Sequence, residues 1–150
     1  MEHLRKLREE VNRVCTDLNS YFMSEFACKT PPANTAPFNN NIIAHTEDFD
    51  IYLACRPVKR TGWSENVLVI VSISFMTQRV GNGTSFLRFL IKIADKYGYE
   101  RIGIECATNE MIVGFAKKYG FERYKREENW INSVENLKKL LERGPGDCHV

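Results

Sequence analysis

No apolar run in this 150-residue chain is long enough to cross a bilayer as a helix. That absence removes the helical membrane classes. The five cysteines (Cys15, Cys28, Cys55, Cys106 and Cys148) are odd in number, and no two have C-x-x-C spacing. A disulfide framework and a zinc site are therefore not expected, nor is any other metal. Reduced thiols in a cytoplasmic protein are the reading. A dominant charge is missing too: 21 Lys and Arg against 19 Asp and Glu leave a net charge of +2, too little to argue for nucleic acid. The opening "MEHLRKLREE" is charged throughout and does not read as a signal peptide. No internal repeat is visible. The length suits one domain over residues 1–150 with one full core.

What is present reads as alternating elements. Leu4, Leu7, Val11, Val14, Leu18 and Tyr21 recur at steps of three and four, which predicts a helix over 1–26. Its apolar face packs on the core or forms the seam of a helical homodimer. "CKTPPANTAPFNNN" (28–41), with its prolines and asparagines, reads as a long loop. "FDIYLACR" alternates and predicts a half-buried strand, with 42–45 as its upstream partner and "TEDF" as the turn. "KRTGWSEN" is a connection. "VLVIVSISF" (67–75) is apolar on both faces at first and so central in the sheet. Later Val71, Ile73 and Phe75 stay apolar while Ser72 and Ser74 turn polar, as where a strand end opens onto a pocket.

Phe86, Leu87, Leu90, Ile91 and Ala94 mark a helical face that ends near "KYGYE". "RIGIECA" (101–107) is a short strand, and 109–118 a helix closed by Gly120. "FERYKREE" reads as a charged edge strand. Ser133 then caps a last amphipathic helix through Leu141, and 144–150 are a frayed tail. The fold class is α/β with a mixed sheet. Antiparallel strands are followed by a β-α-β unit that crosses over right-handed.

The most informative stretch is "QRVGNGTSF" (78–86), between the central strand and the next helix. Gly81 and Gly83 lack Cβ atoms, so the backbone can turn tightly and a ligand can come close. The unbonded N–H groups and dipole of a helix start favour an anion, and Arg79 adds charge. A phosphate or pyrophosphate fits; a plain tight turn is the alternative. A Walker loop is excluded because no lysine precedes Thr84. A dinucleotide fingerprint is excluded because Phe86 stands at its third glycine and antiparallel strands come first.

Gln78-x-x-Gly81-x-Gly83 resembles the [QR]-x-x-G-x-[GA] signature of the GNAT superfamily of acyl-CoA-dependent N-acetyltransferases. "NEMIVGFAKKYGFE" is similar to that family's N-x-x-A-x-x-[LF]-Y-x-K-x-G-F segment at Asn109, Phe115, Lys118, Gly120 and Phe121. The likeness is strongest over 67–124. It implies a GNAT-like fold with the cofactor cleft at the end of the central strand, and acetyl-CoA as cofactor. It also implies that Gln78, Arg79, Val80, Gly81, Asn82, Gly83 and Thr84 cradle the pyrophosphate. The backbone of Ile73, Ser74 and Phe75 would pair with the pantetheine arm, and Asn109 would touch that arm. Ile73 and Phe75 could equally be core, and Asn109 a helix cap.

Two departures stand out. After "FERYKREE" the chain reads as going into a helix where the family commonly has another strand, which implies a shorter or re-paired sheet. The family often places an acid tyrosine where this chain has Ala116. Tyr119 reads as core or surface. Amine attack on a thioester needs in-line positioning, a base for the ammonium and a polarised carbonyl. Glu105 is the candidate base, acting through water. Glu65, Glu47, Asp48 and His45 are weaker candidates. Cys106 as a nucleophile lacks a histidine at informative spacing. Three functions follow: acetyl transfer to a primary amine on a small molecule, peptide or protein lysine; a GNAT-fold binding module with weak or no catalysis; and a toxin-like enzyme acting on aminoacyl-tRNA, for which the basic residues are too scattered.

Overall fold

The structure, a computed structural model, describes residues 2–57, 62–64, 66–76, 81–105, 107 and 109–142, with only the backbone of Arg126 and Glu127. The chain runs α1 (Glu2–Glu25), β1 (Ala33–Thr35), β2 (Asn41–His45), β3 (Phe49–Cys55), β4 (Val67–Phe75), α2 (Asn82–Tyr97), β5 (Arg101–Ile104), α3 (Glu110–Lys118), β6 (Glu122–Tyr124), β7 (Arg126–Ser133) and α4 (Val134–Glu142). The seven strands form one sheet in the order β1-β2-β3-β4-β5-β7-β6. β4 and β5 pair in parallel across the α2 crossover, and the other neighbours are antiparallel. None of the described helices is long and apolar enough to cross a membrane.

Hydrophobic burial sets the layers. Val11, Val14, Leu18 and Phe22 of α1 are buried in the main core, so the sheet, not a dimer seam, takes the helix stripe. Leu4, expected on that stripe, is 64% exposed. Phe86, Leu87, Leu90 and Ala94 of α2 join the same core, with Ala116 of α3 and Leu137 of α4. Phe22 stacks on Phe49 and Phe86, with ring centroids 4.5 and 6.0 Å apart. All four helices thus pack on one face. The other face carries a smaller cluster of Ala54, Trp63, Val67 and Val69, to which no described helix contributes a residue, though Leu4 at the start of α1 reaches its edge.

Two expectations are corrected. The 28–41 segment is not loop throughout, since it contains β1. Asn19 of α1 clamps that strand: its Oδ1 accepts from the Ala33 N–H (2.6 Å) and its Nδ2 donates to the Ala33 carbonyl (3.0 Å). A three-residue strand is too short for an alternation to show in sequence. "FERYKREE" is also not a single edge strand. The chain reverses at Lys125, where φ is +56°, and returns as β7 between β6 and β5. Asn129 and Asn132, both buried, hide its apolar pattern. Asn132 is satisfied by the Tyr119 carbonyl and by the Ser133 N–H. Ser133 does cap α4, its Oγ accepting from the Asn136 N–H.

Candidate functional site

A β-bulge in the central strand organises the site. Tyr52 pairs with Ser72 and Leu53 with Ile70, so Val71 is an extra residue in β4. The extra residue reverses the alternation. Before it, Leu68 and Ile70 face the helices; after it, Ile73 and Phe75 do, while Val71 packs with the opposite cluster. The sequence reading had placed Val71 on one face with Ile73 and Phe75, and the bulge is why it does not share that face.

The bulge coincides with an opening in the sheet. The pairing of β4 with β5 runs from Val67–Arg101 to Ile70–Ile104 and closes with the Glu105 N–H on the Ile70 carbonyl. Beyond that, among the described residues, no strand pairs with the β5-side edge of β4. The Met76 N–H bonds the Asp48 carbonyl on the β3 side. Alternate residues of an antiparallel strand turn their backbone groups to the same neighbour. Ser72 and Ser74 therefore face β3, and Ile73 and Phe75 turn their N–H and C=O groups into the opening.

Across the opening lies the start of α2. Gly81, with φ 101° and ψ −9°, precedes the helix in a left-handed conformation that glycine adopts without strain. Its carbonyl takes the first helical bond, from the Ser85 N–H (2.8 Å). As a glycine, Gly81 supplies no side-chain cap, and a helix start is where backbone N–H groups can meet water or a ligand. Gly83 lies inside α2, and its missing Cβ has a different reason: an added one would sit 3.0 Å from Phe115 Cε2. The absence lets α3 close onto α2. Thr84 Oγ1 hydrogen-bonds the Tyr119 hydroxyl, and Tyr119, read as core or surface, is buried. Gln78, Arg79 and Val80 lie outside the described residues.

A cavity of about 230 Å³ joins these parts, lined by Ile73, Phe75, Asn82, Gly83, Asn109, Met111, Ile112 and Phe115. Five of the residues expected to touch the cofactor, Ile73, Phe75, Asn82, Gly83 and Asn109, thus line one space. Asn109 caps α3, its Oδ1 accepting from the Ile112 N–H (2.8 Å), and lines the cavity as well. Gly120 (φ 72°) ends α3 as expected. The Phe121 N–H reaches the Ala116 carbonyl and the Gly120 N–H the Lys117 carbonyl, a Schellman arrangement. Ala116 is fully buried in the core and lines no described part of the cavity.

Glu105 stands apart from that cavity. β5 ends at Ile104, so Glu105 lies one residue past the strand, where "RIGIECA" had been read as strand throughout. The side chain faces the helix-free side. There it lines a second cavity, of about 490 Å³, with Tyr52, Trp63, Val69, Val71 and Asn41 among others. Trp63 Nε1 donates to Glu105 Oε1 (3.0 Å). The weaker candidates lie elsewhere: His45 pairs with Asp50 across β2 and β3, and Asp48 sits in the turn held by Thr46. Glu65 and Cys106 fall outside the described residues. Among those described, no group of three or more His, Cys, Asp or Glu could hold a metal.

Sequence reasoning missed Trp63. A signal existed in Gly103, a glycine inside a strand, which marks a close approach by another group. An added Cβ at Gly103 would lie 2.6 Å from Trp63 Cζ3.

No family model matches the chain, and no curated protein sequence does. Solved structures do match. The KacTA–DNA complex aligns over 83% of this chain and 84% of its own at a TM-score of 0.50 and 12% identity. AtaTR bound with AcCoA aligns over 67% and 70% at 0.48 and 16%. A GNAT-family acetyltransferase from Listeria monocytogenes aligns over 84% and 88% at 0.46 and 12%. At these identities the likeness is one of fold. A seven-stranded mixed sheet, opened beside its central strand where a glycine turn starts a helix, is a GNAT-type fold.

Proposed function

We propose that the chain binds acetyl-CoA and transfers its acetyl group to a primary amine by direct attack in a ternary complex. One observation carries the reading: the open backbone edge of β4 and the uncapped, glycine-led start of α2 border the same apolar cavity. Coenzyme A fits those residues. It has amides that need backbone partners, an apolar arm that suits Ile73, Phe75, Ile112 and Phe115, and a pyrophosphate that suits helix N–H groups. The first-turn N–H groups of Asn82, Gly83 and Thr84 would hold the phosphates, continuing the loop from Gln78. Ile73 and Phe75 would pair with the pantetheine arm through their backbone, beside Ser74, and Asn109 would flank it. When bound, the cofactor supplies an activated thioester.

The chain's own part is then positioning, polarisation and proton removal. A β4 N–H facing the opening would polarise the carbonyl. Glu105, on the far face beside the bulge, would take the ammonium proton through water. The residues are read as one domain, with a small amine, peptide or protein lysine as acceptor. A second reading, a GNAT-fold binding module, is favoured by Ala116, which puts no acid at the helix position where the family often has one.

The test is calorimetric titration with acetyl-CoA, followed by transfer of labelled acetyl to polyamines, amino acids, lysine peptides and cell lysate. Binding with transfer supports the enzyme. Binding without transfer moves the reading to the module, and no binding refutes both cofactor readings.

A further inference from the structure

The loop between β3 and β4 lays Trp63 across the helix-free face, and the surroundings make room for it. Trp63 is only 3% exposed. Its ring lies over Gly103, the one residue of β5 on that face whose side chain is absent, and any Cβ there would collide with it. On one side it stacks on Tyr124, with centroids 5.0 Å apart and planes at 18°. Lys125 Nζ reaches the neighbouring Gly62 carbonyl (3.1 Å), so the β6–β7 turn holds the segment down. On the other side the indole N–H meets Glu105 Oε1. Among the described residues Glu105 accepts from no other donor, which leaves Oε2 for the second cavity.

We infer that Trp63 is a positioning residue. Resting on the reading of Glu105 as the base, it fixes one carboxylate oxygen so that the other faces the incoming amine or its water. A side chain just past a strand end has rotamer freedom that one charge-assisted bond removes. A small misplacement of a base is expensive in rate. A solely structural Trp63 would need the stack, the space and an acceptor for its buried N–H, but its loss would leave kcat unmoved in a variant that folds.

The experiment is a double-mutant cycle on the whole chain with Trp63→Phe and Glu105→Gln. It uses whichever of tyramine, spermidine and an acetylated-N-terminus lysine peptide the parent acetylates fastest. Phe keeps an aromatic ring on Tyr124 and removes the donor. Gln keeps an acceptor and removes the base. The expected result is a roughly tenfold lower kcat for Trp63→Phe, with the acetyl-CoA Kd within threefold, and little further loss when it is added to Glu105→Gln. Equal loss in both backgrounds would overturn the inference while leaving the transferase reading intact. No transfer by a parent that binds acetyl-CoA would overturn both. Should Trp63→Phe not fold, the indole N–H proton resonance of Trp63 decides. A move of that signal in Glu105→Gln larger than that of Trp130 supports the bond, and an unmoved signal overturns it.

Discussion

Replacing Gly81 tests whether the turn conformation serves the ligand. At φ 101° a β-branched residue is strained, yet among the described residues an added Cβ would meet nothing within 4 Å. The penalty for Gly81→Val is therefore reckoned as backbone strain, about 1–3 kcal/mol. For a chain of this length each kcal/mol lowers Tm by roughly 2–4 °C. Asparagine tolerates the left-handed region, so Gly81→Asn should lose less than about 1 kcal/mol. The folded Val variant would relieve strain by re-aiming the Gly81–Asn82 peptide, at the place where the proposed reading puts the phosphates. Acetyl-CoA at a hundred times the parent's Kd adds about 2.7 kcal/mol, roughly 5–11 °C by the same conversion. Thermal melts with and without acetyl-CoA should show that shift in the parent, most of it in Asn, and little in Val. A Val variant that binds like the parent would falsify the placement of the phosphates at this turn. So would a Val variant of unchanged Tm, because the φ requirement would then be absent.

Glu105→Gln should lower acetyl transfer at least tenfold at neutral pH and leave acetyl-CoA affinity within a few-fold, read by steady-state kinetics and calorimetry; unaltered kcat removes Glu105 from the mechanism. Asn109→Ala removes the α3 cap, so urea unfolding should show a loss of about 1 kcal/mol; acetyl-CoA Kd should rise in the same variant, whereas a pure cap would leave it unchanged. Burial pushes the Cys55 thiol up to about 12 from 9.0. A raised thiol pKa stabilises the fold fully below the unfolded value, and this contribution is lost as pH rises from 9 towards 12. At pH 10.5 the loss is about 2 kcal/mol. Cys55→Ala should therefore fall in stability less steeply than the parent between pH 8 and 10.5, and parallel urea midpoints would refute this.

The legible parts of the chain were those whose pattern is local. The α1 and α2 stripes, the β3 alternation and the Gly120 stop are each fixed by neighbours in sequence. Gly81 was legible because a positive φ before a helix leaves a compositional mark. The β4 face was not. A bulge is defined by a register against another strand, and Val71 carries no sign of it in "VLVIVSISF". The Glu105 partner was hidden for the same reason: Trp63 is 42 residues away and meets it only through the sheet. β7 was missed because its buried asparagines break the apolar period, and Asn132 is held by the Tyr119 carbonyl, a tertiary hydrogen bond that no period reveals.

The bulge also bears on why Ala116 need not silence the site. One inserted residue turns Ile73 and Phe75 towards the helices and leaves Val71 beside Glu105 on the opposite face. The strand thereby borders two cavities at once, one on each face, with its open backbone edge between them. A thioester in that edge could be met by an amine from the other side, so the base need not share the cofactor's cavity. The departing thiolate asks little of a protein acid, since a thiol with a reference pKa of about 8.5 leaves readily near neutral pH. Proton removal from the ammonium is the harder demand at that pH. On the proposed reading the chemistry would weigh on the carboxylate side of the sheet, where Gly103 and Tyr124 pack on Trp63 and Trp63 bonds Glu105, and not on Ala116 of α3.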